Sequence, residues 1–320
     1  MRSAIGSSAT EGSPRARRGA AVRGLLLALL VGLLPLAAAA QVIGLTFEDG
    51  LDPARDTRAE ALNARLLHTL EEQQLHAIVF PSQAVIGGDA GLALVEQWAA
   101  AGHGIGNQAA QRSLSSGKVT LAGFVADVQR AEETLRPLST WTPMLRFPYL
   151  KEGDTRAKRD GMRAWMREHG YRNAAVSIDT SDAYYNQRYL SLQKAGRSEP
   201  LKRLQRTYVR HLLERAAYYD KLARQVIGRS PAHVMRLHAN ALNAAALSDV
   251  IEAFRAKGWH FVAARVAYED PLYAMQPMVL PAGGSIVWAL ARERGVDGLR
   301  QPAEDAAYER PRLQEQGLAP

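Results

Sequence analysis

Acidic, basic and histidine side chains recur where apolar, strand-like runs of the sequence come to an end. They comprise the adjacent carboxylates Glu48 and Asp49, the segment Arg146–Tyr149, the acidic residues Asp179 and Asp182, and His238. Such side chains can transfer protons, and the carboxylates and histidine can also hold a metal ion. Two adjacent carboxylates are electrostatically costly unless a cation or a hydrogen-bond donor shares their site. Reactive side chains of parallel α/β folds lie where strands end, so we expect these residues to meet there.

The composition excludes several classes of protein and of chemistry. The 320 residues are 47% hydrophobic, which is enough to bury one large core and excludes disordered, collagen-like and coiled-coil chains. The chain has no cysteine, so a thiol nucleophile, an iron–sulfur cluster and a cysteine-bound zinc are excluded. Any metal ion would therefore need histidine, aspartate or glutamate ligands.

Strand-like and helix-like patterns alternate from Gln41 onward. The predicted strands are Val42–Thr46, Ala77–Phe80, Met144–Arg146, Ala174–Ile178, Val234–Leu237 and His260–Val262. The predicted helices are Arg58–Glu72, Ala90–Ala101, Thr120–Leu135, Ala157–His169, Leu201–Ile227 and Ala244–Lys257. This alternation indicates βαβ units and a parallel sheet. A single α/β barrel is favoured over an open doubly wound sheet, because no G-x-G-x-x-G follows the first strand.

In order and spacing, the strand-end motifs resemble those of the polysaccharide deacetylases, the NodB-homology family of carbohydrate esterases. The resemblance extends from about Val42 to Val262 and rests on T-F-E-D-G at 46–50, R-F-P-Y at 146–149 and L-H at 237–238, with two further segments between them. It implies a distorted (β/α) barrel. The implied activity is metal-dependent removal of N- or O-acetyl groups from chitin-like, peptidoglycan or exopolysaccharide chains.

The resemblance assigns roles to the residues that match the family's motifs. Asp49 corresponds to the metal-binding aspartate, and His238 corresponds to the catalytic acid. Arg146 corresponds to the arginine that orients the base, and Tyr149 to the residue beside the oxyanion. Either Asp179 or Asp182 corresponds to the carboxylate that supports the acid.

Five other positions depart from the family's pattern. Glu48 replaces the aspartate that acts as base, which preserves a carboxylate but adds a methylene. Gln108 and Arg112 stand where the family has its two metal-binding histidines. Ala183 replaces a tryptophan and opens the wall of the acetyl pocket, and Arg236 replaces an apolar residue.

The departures weaken the metal site that the family uses. Hydrolytic zinc sites ordinarily have three good protein ligands, whereas Asp49 is the one good ligand that remains here. Arg112 would repel a divalent ion because its guanidinium is always charged. We therefore expect no cofactor in this chain, although zinc or another divalent metal serves the family. Arg112 is predicted to pair with Asp49 or Glu48 in the volume that the metal would fill; the alternative is that it points into solvent.

The sequence is compatible with three functions. The first is polysaccharide deacetylation with the metal held in another way, and the second is glycan binding by a catalytically silent member of the cell envelope. The third, a metal-free hydrolase, would use Glu48 and His238 as an acid–base pair but would lack the electrophilic help of the ion. The expected partner in each case is a glycan or polysaccharide.

The first 40 residues have the order of a secretory signal. Arg15, Arg17, Arg18 and Arg23 precede the apolar run Leu25–Leu36, and three alanines then offer a cleavage site before Gln41. The run is about 12 residues, short of the ~20 that span a bilayer, so we expect no stable membrane span after cleavage; an uncleaved anchor is the alternative. The predicted organisation is a signal peptide at 1–40, a deacetylase-like domain at 41–280 and an extension at 281–320 that packs on the barrel. The predicted location is periplasmic or secreted.

The positive charge of the chain is concentrated in one predicted helix. Residues 194–229 contain ten basic and three acidic side chains. A solvated basic face on a helix packed against the core is the favoured interpretation, and a surface for anionic glycan or lipid headgroups is the alternative. Nucleic acid is not expected as a partner, because the chain carries an export signal and no nucleic-acid motif. A further short helix is predicted at Ile286–Arg294.

Overall fold

The computed structural model describes residues 41–109, 113–300 and 306–318. Its strands are β1 (Gln41–Asp49), β2 (Ile78–Pro81), β3 (Gly104–Asn107), β4 (Trp141–Leu145), β5 (Lys151–Gly153), β6 (Arg172–Asn173), β7 (Ala232–His238), β8 (Trp259–Phe261) and β9 (Ala282–Gly283). Its α-helices are α1 (Ala59–Glu72), α2 (Gln83–Ile86), α3 (Asp89–Ala100), α4 (Leu121–Leu135), α5 (Arg156–Glu168), α6 (Asp182–Lys194), α7 (Ser198–Ile227), α8 (Ala241–Ala256), α9 (Ala264–Ala267), α10 (Ile286–Glu293) and α11 (Ala306–Glu315).

The strands form a parallel sheet in the order β6-β4-β3-β2-β1-β7. β1 pairs with three strands, β2, β7 and β8, and its residues Ile43, Leu45 and Phe47 are buried. Along one side of β1, β8 pairs with Gln41–Ile43 and β2 pairs with the residues from Thr46 onward. The whole of β7 lies along the other side, with Glu48 opposite His238 in register.

One segment joins the two edges of this sheet. β6 pairs with β4 through Arg172 and Asn173, and five residues later Ile178 bridges to Met235 in β7. The backbone of Ala174 donates to Leu145, and that of Ser177 donates to Val234. Because the same short segment contacts both edge strands, the sheet closes on itself. This confirms the predicted distorted (β/α) barrel.

Helix caps and apolar faces account for the helices around the barrel. Thr120 and Asn240 accept hydrogen bonds from the backbone three residues on, at the starts of α4 and α8. α7 buries the stripe that contains Leu204, Tyr208 and Leu212, and ends at Gly228, whose φ of 76° suits glycine. The predicted helices are confirmed with ends shifted by up to three residues, and α7 carries the basic segment identified in the sequence.

Besides β5, β9, α2, α9 and α11, which the sequence did not predict, three elements differ from the sequence-based prediction. β3 was not predicted, because glycine disfavours strands; here a side chain at Gly106 would lie 2.3 Å from the Phe80 ring, so close packing requires the glycine. The strand predicted at 174–178 is wrong as a regular strand, since this segment crosses from one barrel edge to the other. α6 was missed because its buried residues do not form a strong apolar stripe.

The C-terminal residues pack against other parts of the fold. β9 pairs antiparallel with β5, and the backbone of Ile286 at the start of α10 donates to Val176. In α11, Glu309 and Leu313 are fully buried. In the part of the chain that the structure describes, none of the helices combines the length and apolarity that crossing a membrane requires.

Candidate functional site

A cavity of about 320 Å³ opens at the carboxyl ends of β1 and β7. It is lined by Glu48, Asp49, Gln108, Pro148, Tyr149, Thr180, Ser181, Asp182, Ala183, Tyr184, Gln187, Arg236 and His238. A second cavity of about 350 Å³ shares Asp49, Ala183, Gln187 and His238 with the first. The two cavities are therefore adjacent, and Ala183 is among the residues that line both.

Glu48 is fully buried at the floor of the first cavity, between two arginines. Its Oε1 atom accepts from Arg146 Nη1 at 2.6 Å and lies 2.9 Å from Arg236 Nε. Burial raises the pKa of Glu48, but Arg236 and Arg146 together outweigh it and lower the pKa to about 2. Glu48 is thus an ionised partner of two guanidinium groups at all physiological pH values.

Arg146 is held rigidly from every side. Its Nε atom donates to the Ala174 carbonyl, and its Nη2 atom donates to Thr46 and to the hydroxyl of Tyr268, at 3.1 and 3.0 Å. Its guanidinium lies 4.5 Å from the centre of the Phe80 ring. Because this side chain is fully buried, these contacts fix where Glu48 points.

His238 faces the cavity and binds a carboxylate at its back. Its Nδ1 atom lies 2.8 Å from Asp182 Oδ1, while Nε2 lies 3.6 Å from Glu48 Oε2 and 3.9 Å from Asp49 Oδ2. Burial lowers the pKa of His238, but the Asp182 carboxylate outweighs it and raises the pKa to about 9. His238 is therefore an imidazolium at neutral pH, with Nε2–H directed toward the two carboxylates.

The two candidate supporting carboxylates have different partners. Asp182 Oδ2 accepts from the backbone of His238 and from the side-chain amides of Asn240 and Asn243, at 2.8, 3.1 and 2.8 Å. Burial raises the pKa of Asp182, but His238 outweighs it and lowers the pKa to about 2. Asp179 instead accepts from Arg236 Nη1 at 3.2 Å, so Asp182 lies against the histidine and Asp179 against the arginine.

Asp49 and Gln108 lie together at the rim of the Glu48 pocket. The Asp49 backbone amide donates to Gln108 Oε1 at 2.9 Å, and Gln108 Nε2 lies 3.5 Å from Glu48 Oε2. Burial raises the pKa of Asp49, and the neighbouring imidazolium of His238 lowers it by a smaller amount. The Gln108 side chain thus uses both ends of its amide within the protein.

Tyr149 forms part of the cavity wall in a conformation that is rare for tyrosine. Its φ and ψ are 58° and 20°, in the left-handed region, and the residue is 46% exposed. Asp49, Ala109 and Leu150 also have positive φ values. Backbone strain of this kind concentrates at functional sites, because the surrounding structure must hold it in place.

The remaining sequence-predicted residues can be placed as follows. Arg112 lies outside the described residues, so its pairing with Asp49 or Glu48 stays a prediction. His103, which precedes β3, is buried, and its Nδ1 accepts from the Ala77 backbone. Among the described residues, no group of three or more histidine, aspartate or glutamate side chains is placed to hold a metal ion.

Arg236 is the site residue whose role the sequence did not reveal. It was noted as a replacement of an apolar residue, yet its guanidinium lies between Glu48 and Asp179 and is almost fully buried. The available signal was spacing: Arg236 and His238 are two residues apart in one strand, and alternate residues of a strand share a face. An arginine on the face that carries a reactive histidine therefore had to enter the same site.

Residues 37–174 match the family described as polysaccharide deacetylase. No curated protein matches the sequence significantly. Among solved structures, the fold is similar to that of a CE4 family pseudoenzyme from Bacillus anthracis, at 12% identity and a TM-score of 0.50. The match covers 72% of this chain and 66% of that one. At this identity the likeness establishes the fold alone.

Two deacetylases match with slightly lower scores. A chitin deacetylase from Colletotrichum lindemuthianum is 17% identical, with a TM-score of 0.49 over 71% of this chain and 87% of that one. The peptidoglycan deacetylase PdaC from Bacillus subtilis, as a point mutant, is 15% identical, with a TM-score of 0.48 over 72% and 91%.

Proposed function

Over residues 37–174 the chain belongs to the polysaccharide deacetylase family, and from this premise we propose that it is a glycan-binding member that does not hydrolyse its ligand. The observation that carries the proposal is the position of Glu48 between Arg146 and Arg236. A general base needs a pKa near the working pH, and a carboxylate with a pKa of about 2 has little tendency to accept a proton. The same argument disfavours a metal-free hydrolase that would use Glu48 and His238.

The described residues do not fit the divalent ion that the family uses. Gln108 offers a neutral amide whose oxygen already accepts from the Asp49 backbone. His238 carries a proton on each ring nitrogen at neutral pH and so has no lone pair to give. The buried guanidinium of Arg236 would repel a dication beside Glu48. Asp49 alone is a weak basis for a hydrolytic site, which ordinarily has three protein ligands.

The cavity nevertheless keeps features that suit a sugar. Its lining includes the exposed side chains of Tyr149 and Gln187. Aromatic surfaces with a few polar groups are common in sites that bind small molecules. Family members act on polysaccharides, so the retained cavity supports a glycan as the ligand of this chain as well.

We further propose that the protein acts outside the cytoplasm, with its mature chain beginning near Gln41. Residues 1–40 lie outside the described part of the chain, and the support is therefore their charged, apolar and small-residue order. Gln41 is the first residue of β1 and its side chain donates to Asp220 at 2.8 Å. Cleavage before Gln41 would leave β1 whole. N-terminal sequencing of exported protein tests this location, and a chain that retains Met1 would contradict it.

The test of function compares the wild type with a variant that restores the family's site. The variant carries Glu48→Asp, Gln108→His, Arg112→His and Arg236→Leu. We expect purified wild type to bind chitotetraose in calorimetry, to contain far less than one zinc per chain and to release no acetate. The variant should gain zinc. Stoichiometric zinc together with acetate release by the wild type would overturn the proposal that the protein does not hydrolyse its ligand. Lack of chitotetraose binding would overturn the proposal that the ligand is a glycan.

A further inference from the structure

A buried ion cluster lies behind the cavity wall, at the point where the C-terminal helix meets α6. Glu309 of α11 is fully buried, and its Oε1 atom accepts from Arg215 Nη2 at 2.9 Å. Its Oε2 atom lies 3.5 Å from Nδ1 of His211, another fully buried side chain of α7. A carboxylate from the last described helix thus neutralises a guanidinium in the interior of the protein.

The same carboxylate accepts hydrogen bonds from Ser181, which lines the cavity, and from Tyr185 of α6. The Ser181 hydroxyl lies 3.4 Å from Oε1, and the Tyr185 hydroxyl lies 3.3 Å from Oε2. Asp182, which holds His238, lies between these two residues in the chain. Ser181 precedes the first residue of α6, yet its side chain makes no capping bond to the helix and is directed to Glu309.

We propose that Glu309 is a positioning residue for the ligand cavity, through which the C-terminal helix fixes the first turn of α6. The proposal rests on the proposed function in that this cavity is the one that would hold the glycan. Ser181 and four residues of α6, Asp182, Ala183, Tyr184 and Gln187, line the cavity. A shift of this turn would therefore move one complete wall.

Two physical effects support this role. Serine and tyrosine hydroxyls rotate toward the strongest acceptor within reach, and a buried carboxylate is a stronger acceptor than any neutral group. The amino end of a helix carries partial positive charge, so a carboxylate beside Ser181 also stabilises the start of α6. Both effects act on the turn that carries Asp182, and both disappear if the carboxylate is removed.

The alternative is that Glu309 serves only to neutralise Arg215 and Arg300, whose Nη2 atom lies 3.9 Å from Glu309 Oε1. An apolar double variant separates the two roles, because replacing both members of a buried ion pair by apolar side chains often preserves stability. The variant is Arg215→Met with Glu309→Met, which removes the charges and the acceptor together. Glu315→Gln is the matched control, since Glu315 lies in the same helix but is exposed.

The experiment measures thermal unfolding, chitotetraose affinity and the chemical shift of the Ala183 methyl group in alanine-labelled protein. We expect the double variant to unfold near the wild-type temperature, to bind chitotetraose at least ~10-fold more weakly, and to show a displaced Ala183 resonance. The control should match the wild type in all three. A double variant with wild-type affinity and an unmoved resonance would overturn the proposal. If the wild type binds no chitotetraose, the glycan assignment fails, and the Ala183 resonance alone decides the role of Glu309.

Discussion

The two ends of β7 carry the same pair of residue types in opposite settings. At its carboxyl end, His238 binds Asp182 and faces a cavity; near its amino end, His233 lies 3.3 Å from Asp220 and 3.0 Å from the Ser177 hydroxyl. The second arrangement contains serine, histidine and aspartate in contact, yet Ser177 and His233 are both fully buried. Contact among reactive residue types therefore does not identify a site unless a ligand can reach them.

Backbone strain distinguishes the two ends in the same way. Asp49 and Tyr149, which both line the cavity, have positive φ values, whereas Ser177, Asp220 and His233 do not. Asp220 at the closed end accepts from Gln41, Arg224 and Ser230 in addition to lying against His233. The cavity end thus contains strained backbone, while at the closed end both carboxylate oxygens of Asp220 accept hydrogen bonds, which favours stability.

The largest expected effect is the loss of the buried cation at the cavity end. Arg236→Leu removes a buried guanidinium that pairs with the carboxylates of both Glu48 and Asp179, so we expect it to lower the free energy of unfolding by about 3–5 kcal/mol. Arg224→Leu is the control, because Arg224 is half-exposed in its pair with Asp220 and should cost at most about 1 kcal/mol. Urea denaturation measures both.

This prediction also has a pH dependence. The pKa of Glu48 is lowered from 4.5 to about 2, so its ion pairs stabilise the fold fully above pH 4.5 and lose this effect as the pH falls toward 2. The difference in stability between wild type and Arg236→Leu should narrow over that range. A difference that stayed constant down to pH 2 would show that Arg236 acts by packing and not by charge.

The next effect separates the two Asp–His pairs by function. Asp182→Asn should lower the pKa of His238 from about 9 toward ~6.5 and weaken chitotetraose binding. A histidine whose pKa is raised by folding stabilises the fold at pH values below its pKa in the unfolded chain, and this stabilisation is lost as the pH rises toward 9. Wild type and Asp182→Asn should therefore converge in stability near pH 9. Asp220→Asn should destabilise by ~1–3 kcal/mol and leave the affinity unchanged. Histidine NMR titration measures the pKa of His238, and calorimetry measures chitotetraose binding by both variants. Weakened binding in Asp220→Asn would contradict the functional distinction between the two ends of β7.

The smallest effect concerns the strained backbone at Tyr149. Tyr149→Gly should be more stable than Tyr149→Ala by about 1 kcal/mol, because glycine adopts positive φ without steric cost while both variants lose the ring. Thermal unfolding of the two variants measures the difference. Equal stabilities would mean that the left-handed conformation at this position carries no strain.

The sequence alone determined the class of fold and the set of reactive residues. Alternating apolar runs and helical periods indicated a parallel barrel, and the strand-end motifs located Glu48, Asp49, Arg146 and His238, because strand ends are where such a fold exposes side chains. Residues 174–178 were wrongly predicted as a regular strand, and β3 and α6 were not predicted, since barrel closure and tight glycine packing depend on contacts between distant parts of the chain.

Only the tertiary structure decided which charge balances which. Asp179 and Asp182 were equivalent in the sequence, but the path of the chain places one against Arg236 and the other against His238. Arg236 approaches Glu48 because β1 and β7 pair in register along their length. Glu309 contacts Ser181, next to Asp182, although it lies more than a hundred residues further along the chain. Electrostatic energy depends on distance in space and on burial, and neither quantity is encoded in the spacing of residues along the chain.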